Sequence, residues 1–214
     1  MQNVKIDIVS DIACPWCAIG YARLERAMEQ LANELEFTVQ WHAFQLNPDP
    51  SGKGEPILPA LAKKYGRSED EMRANQSRMQ TIATQLGLNF EHIQQRLTAY
   101  TFDAHRLVKW AGELGRQTPL KKALFNAYFG EAKDVAQPEV LLSCVAEAGL
   151  DEAIAKQILA SDQYAAAVRE DEAKYRQAGI TSVPAFIINE RHLISGAQEV
   201  DILVTVLREI NEQD

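Results

Sequence analysis

The chain opens with alternating apolar and polar positions. In Val4–Ser10, the side chains of Val4, Ile6 and Ile8 fall on one side and those of Lys5, Asp7 and Val9 on the other. That period of two predicts a β-strand. Leu24, Met28, Leu31 and Leu35 then recur at spacings of four, three and four, one apolar stripe on a helix. Phe37–Phe44 returns to alternation, with Phe37, Val39, Trp41 and Ala43 on one face. Strand, helix, strand in this order favours a parallel pair joined by a right-handed crossover.

The pattern changes after this unit. Asn47–Pro56 (NPDPSGKGEP) is rich in Pro, Gly and Ser and reads as a loop. From Ile57 to Ala160 every signal is helical. Ser68 and Glu71 make a capping box for a helix that runs to Leu86 and stops at Gly87. Phe102–Leu114 is a second helix, ended by Gly115. Thr118 and Pro119 supply an N-cap and a first residue for LKKALFNAYF, closed by Gly130. Gln137 and Pro138 start PEVLLSCVAEA, and Asp151 caps a short helix to Leu159. One more helix runs to about Ala178. ITSVPAFIIN is then a strand, NERH a tight turn, and LISG the second arm of a hairpin. Val200–Ile210 closes with an amphipathic helix. The expected organisation is α/β: residues 1–47 and 161–214 form one unit, and residues 48–160 form an all-helical insertion.

Composition narrows the classes of function. The chain has 214 residues, enough for one sizeable domain or for one that carries an insertion. Its net charge is −8 and its basic residues form no runs, so it would repel a phosphate backbone; nucleic acid is not an expected partner. No stretch approaches the roughly 18 apolar residues needed to span a bilayer, so no membrane association is expected. MQNVKIDIVS lacks a basic segment followed by an apolar run, so the expected location is the cytoplasm. Three cysteines, Cys14, Cys17 and Cys144, are too few and too odd a number for a disulfide-stapled scaffold.

The first two cysteines form CPWC, between the first strand and the first helix. Such a pair binds a metal, closes a structural disulfide or moves electrons. A zinc site usually needs four ligands and no second CxxC exists, so no metal is expected. The strand–CxxC–helix context favours redox chemistry. If Pro15 begins the helix, Cys14 sits where unpaired N–H groups and the positive helix end favour a thiolate, the form that attacks disulfides. Cys17 lies one turn further on, placed to resolve a mixed disulfide. Pro15 fixes the backbone, and Trp16 adds a flat apolar face. Neither carries positive charge, so the Cys14 thiolate would rely on the helix end and neighbouring amides. Pro184, just before the predicted strand, matches the position at which thioredoxin-like folds carry a cis-proline against the CxxC.

SDIACPWCAIG, DAHRLVKWA, LKKALFNAYF, GITSVPAFIIN and LISGAQ occur in one order across nearly the whole chain. Together they resemble the DsbA-like thioredoxin superfamily, in particular its FrnE-type branch of dithiol-disulfide isomerases. The resemblance implies a thioredoxin-like fold with an all-helical insertion, exchange at Cys14 and Cys17, and a cis Val183–Pro184 bond whose residues orient substrate. Ser182 stands where the branch often has glycine, and Ala18 where an aromatic is common, so substrate preference is expected to differ. Periplasmic members often carry CPHC and a signal peptide, and this chain has neither. Related glutathione-binding enzymes, the kappa-class transferases and 2-hydroxychromene-2-carboxylate isomerases, share the insertion and an SG-containing motif but typically lose the CxxC. Ser195, Gly196, Ala197 and Gln198 are therefore candidates for holding a glutathione carboxylate, against an ordinary helix start.

Six further residues are of note. Cys144 sits on the stripe Leu141, Cys144, Val145, Ala148 and reads as core filler. Asp11 either relays a proton to Cys17 or accepts turn amides, the second being the ordinary use. His105 reads as a packing residue, His42 receives no role, and His92 and His192 read as surface residues. The combined expectation is a cytoplasmic thiol–disulfide oxidoreductase acting on a protein or small disulfide in a cleft between core and insertion. It requires no cofactor, glutathione is a candidate co-substrate, and the recycling reductant and the direction of exchange are open. The rivals are a glutathione-dependent isomerase or transferase, and a non-catalytic redox-sensing or partner-binding module.

Overall fold

β1 (Gln2–Ser10) and β2 (Leu35–Ala43) pair in parallel over their whole length, from Gln2 opposite Leu35 to Ser10 opposite Ala43. The crossover between them is α1 (Pro15–Gln30). This is seen in a computed structural model that describes residues 2–52 and 54–213. β3 (Ala185–Ile188) runs antiparallel along β1, and β4 (His192–Ser195) antiparallel along β3, giving the order β2-β1-β3-β4. Among the described residues, seven α-helices lie between β2 and β3. They are α2 (Ile57–Tyr65), α3 (Glu69–Gln85), α4 (Phe102–Glu113), α5 (Gln117–Phe125), α6 (Pro138–Glu147), α7 (Glu152–Leu159) and α8 (Ala165–Gln177). α9 (Val200–Gln213) ends the described chain. No helix among the described residues is long and apolar enough to cross a membrane.

Both faces of the sheet are covered. Val4, Ile6 and Ile8 are fully buried in the main core with Leu24 of α1 and with Leu203 and Leu207 of α9. On the opposite face, Val9 packs with Phe44, Tyr175 and Ile180, so α8 closes the side that also carries Lys5 and Asp7. The alternation of β1 therefore separates two interiors. Burial on both faces is the usual condition of parallel strands joined by a helix.

Local signals decide most helix ends, and tertiary contacts override one of them. Ser68 and Glu71 form the expected capping box, and Asp151 caps α7. α5 instead begins at Gln117 with Arg116 as its cap residue, two residues earlier than Thr118–Pro119 suggested. The Thr118 hydroxyl accepts the indole N–H of Trp41 at 2.9 Å, and the Gln117 amide pairs with the Trp41 backbone N–H at 2.9 Å and C=O at 3.1 Å. Pro119 falls within the first turn, where a missing N–H costs no helical bond.

His42, given no role from the sequence, is a structural hinge-pin. It is buried, with Nε2 2.7 Å from Asp7 Oδ1 and Nδ1 3.5 Å from Asp171 Oδ1. Asp171 also accepts the Ala43 N–H at 3.0 Å and pairs with Lys109 at 2.6 Å, so one cluster ties β1, β2, α8 and α4 together. Burial opposes the Asp171 charge, but His42, Lys109 and the amide outweigh it and hold the carboxyl at about 2. Burial likewise opposes charge on His42, and its two carboxylate partners outweigh that and raise it. The Asp171 contribution to stability is thus present above the unfolded value near 3.8 and is lost as pH falls towards about 2. The His42 contribution is present below 6.5 and fades as pH rises through its higher folded value. Asp171→Asn is expected to cost about 3 kcal/mol at pH 5 to 6 in urea denaturation. Its deficit against the parent should narrow as pH falls below 4.

Candidate active site

Cys14 is the cap residue of α1, in extended conformation (φ −92°, ψ 111°), with Pro15 at the first helical position. Its own N–H donates to the Asp11 carbonyl at 3.2 Å, and its carbonyl accepts the Cys17 N–H at 3.1 Å. This turn gives the two thiols unequal access. Cys14, itself only 5% exposed, lines a cleft of about 1340 Å³ shared with Pro15, Trp16, Ser182 and Val183. Cys17, one turn along, is sealed at 1% exposure and packed into the main core. Both thiols are free. Burial pushes the Cys17 thiol well up, the neighbouring Cys14 adds to this, and Lys121 opposes it.

The Val183–Pro184 peptide bond is cis, and the Cys14 thiol donates to the Val183 carbonyl at 3.6 Å. Gly20 of α1 allows this loop to approach. A β-carbon there would stand 3.0 Å from Pro184 Cγ and 3.3 Å from the Ala197 side chain. Ser195–Gln198 are used locally. Gly196 donates its N–H to the Pro184 carbonyl at 2.8 Å, and the Ala197 carbonyl accepts from Arg23 at 2.7 Å. These four residues are not among those that line the cleft at Cys14.

Beneath the CPWC turn lies a buried polar cluster. Asp11, 1% exposed, accepts the N–H of Ala13 at 3.3 Å and of Leu46 at 2.8 Å, and the Thr101 hydroxyl at 2.8 Å. His105 Nε2 lies 3.3 Å away on the same carboxylate. Burial works against its charge, yet His105, Leu46 and Thr101 together hold Asp11 below its ordinary value. It is a fixed anion that ties the turn to the loop after β2 and to α4. Of the two expected uses, the amide-accepting one is what this geometry serves.

Two cations of the cluster were not anticipated. Lys121, 1% exposed, reaches in from α5, donates to Ser10 Oγ at 2.9 Å and lies 4.9 Å from the Trp41 ring and 5.0 Å from the Phe125 ring. Desolvation lowers it to about 8, while the nearby Cys17, Asp11 and Cys14 favour its charge. Arg96, 2% exposed, lies over the rings of Tyr128 and Phe129 and at the cleft floor. So the CPWC dipeptide is uncharged, but the helical region brings positive charge to the pair from behind. Lys121 was legible only as a charge on the stripe shared by Leu124, Phe125 and Tyr128; Arg96, in an irregular segment, carried no local signal. Cys144 is buried and pushed up to about 12 by desolvation, an inert core thiol. His92 and His192 are half-buried, less exposed than expected of surface residues.

Comparison with known proteins agrees with this geometry. A model of the DSBA-like thioredoxin domain matches residues 5–208. Protein YwbO of Bacillus subtilis (strain 168) is 30% identical over 204 residues, 94% of each chain. The crystal structure of a probable DsbA oxidoreductase, SCO1869, from Streptomyces coelicolor superposes with a TM-score of 0.91 at 32% identity, over 99% of this chain and 91% of that one. The cytosolic disulfide reductase DsbM of Pseudomonas aeruginosa shares the fold at 18% identity, with a TM-score of 0.68 over 98% of this chain and all of that one.

The Lys121 charge carries an energetic signature. The gap between about 8 and its ordinary 10.5 corresponds to a folding penalty of roughly 3 kcal/mol near pH 7. A base lowered by folding binds fewer protons folded than unfolded between those values, so stability rises with pH across that window. Lys121→Met is therefore expected to be more stable than the parent at pH 7, with the difference shrinking from pH 8 to 10.5. Cys17 titrates in both proteins and largely cancels. Paired urea denaturation at the two ends of the window checks this.

Proposed function

The chain belongs to the DSBA-like thioredoxin family, and we propose that it is a thiol–disulfide oxidoreductase in which Cys14 attacks and Cys17 resolves. The observation that carries the proposal is the unequal access of the two thiols across one helical turn. Cys14 faces the cleft at the positive end of α1, and Cys17 is buried and held protonated directly behind it.

In the forward direction, the Cys14 thiolate attacks one sulfur of a substrate disulfide. That S–S bond breaks, the departing sulfur takes a proton, and a mixed disulfide with Cys14 forms. Cys17 then loses its proton and attacks the Cys14 sulfur, releasing the second substrate thiol and closing the Cys14–Cys17 disulfide. Two electrons pass to the substrate, and an external dithiol, or two molecules of a monothiol, returns them in a separate exchange and leaves as a disulfide. Lys121 and Arg96 bring positive charge to the neighbourhood of the pair, the charge that a cationic dipeptide would otherwise supply. The backbone of Val183, beside the Cys14 sulfur, orients the substrate chain, with Pro184 and Ser182 shaping that edge of the cleft. Pro15 holds the turn, and Trp16, 37% exposed, forms an apolar contact beside the reacting sulfurs.

Single substitutions separate this chemistry from its rivals. Cys14→Ser should abolish disulfide exchange with a model disulfide. Cys17→Ser should complete the first step and accumulate a mixed disulfide at Cys14, visible by intact-mass measurement and removed by dithiothreitol. Undiminished turnover by Cys14→Ser would overturn the proposal. Full activity of Cys17→Ser with a glutathione conjugate as product would replace it with a glutathione-dependent transfer reaction.

A further inference from the structure

The cleft at Cys14 has a charge opposite to that of the protein. Its walls extend from the CPWC turn to α2 and α3, and its volume of about 1340 Å³ exceeds the range typical of drug-sized ligands. Five cations line it, Lys63, Lys64, Arg67, Arg78 and Arg96, against two carboxylates, Glu55 and Glu71. Arg67 and Glu71 neutralise each other at 3.0 Å. The remainder is a surplus of three positive charges inside a chain whose net charge is −8. Apolar walls that include Ile57, Leu61, Met72 and Met79 keep the local dielectric low and focus that field.

Arg96 is the most informative of these residues. Its Nη1 donates to the Gln76 side chain at 2.9 Å and to the Ile93 carbonyl, while its buried Nε has no hydrogen-bond partner among the described residues. The groups that favour its charge are Tyr128 and Cys14, not a carboxylate. A desolvated guanidinium without a counter-ion is costly. Here it is one of the residues that line the same open, cationic cleft as Cys14.

We infer that the preferred substrates are disulfides of peptide size that carry carboxylates, drawn in by Lys63, Lys64 and Arg78 and neutralising the charge around Arg96 as the disulfide reaches Cys14. This rests on the oxidoreductase reading above and names its substrate class. The same arrangement disfavours cationic disulfides, so the charge that steers substrate in also selects it.

Three small symmetric disulfides of similar size test it: the dianion 3,3′-dithiodipropionate, the neutral bis(2-hydroxyethyl) disulfide and the dication cystamine. Expected kcat/KM values fall in that order, with at least ~10-fold between dianion and neutral compound at low ionic strength. That ratio should fall with added salt and collapse in a Lys63→Glu/Lys64→Glu variant. Equal kcat/KM for all three, or a dianion preference untouched by salt and charge reversal, would overturn the inference. Calorimetric binding to Cys14→Ser provides a readout without turnover. Tighter binding of the dianion than of the neutral compound supports the charged cleft even if exchange fails, and equal binding overturns it. Absence of turnover with all three by the parent protein would instead count against the oxidoreductase reading.

Discussion

The placement of Cys14 depends on one buried carboxylate. Asp11 sits three residues before Cys14 and is held ionised by donors from three directions: the CPWC turn itself, the loop after β2, and α4. A buried anion cannot tolerate loose partners, because each unmade hydrogen bond leaves a desolvation cost unopposed. The turn, the strand exit and the helical region are therefore held in one geometry. That geometry puts the start of α1 beneath one sulfur and the cleft above it.

From this follows a division of labour between the two parts of the chain. The sheet with α1 and α9 supplies the cysteines, the helix end and the Val183–Pro184 loop. The helices between β2 and β3 supply what CPWC lacks. Lys121 comes from α5 and lies close behind the pair, and Arg96 comes from the segment between α3 and α4 and lies at the cleft floor. Both are nearly inaccessible, so their charges are more weakly screened than those of surface lysines. The His42 cluster, on the other face of the sheet, binds α4 and α8 to β2 and so holds the insertion against the sheet.

Much of this was readable one residue at a time. The β1 alternation, the Ser68–Glu71 capping box, the Asp151 cap and the α1 start at Pro15 all follow from preferences that act within a few residues. The α5 start was misread for the same reason. Thr118 has the chemistry of a cap, but its hydroxyl is taken by Trp41, 77 positions earlier in the chain. His42 looked idle because its partners, Asp7 and Asp171, are 35 and 129 positions away.

The sequence alone determined the family pattern, the order of elements and the position of the cysteine pair, because strand period, helix caps and a CxxC at a strand–helix junction are local properties. Only the tertiary structure decided which charges surround that pair and what sign the cleft carries. Asp11, Lys121 and Arg96 acquire their meaning from burial and from partners distant along the chain, and neither burial nor pairing is encoded in any single stretch. An ionisable side chain is an ordinary surface group until the fold removes its water, and that removal is a property of the packed whole.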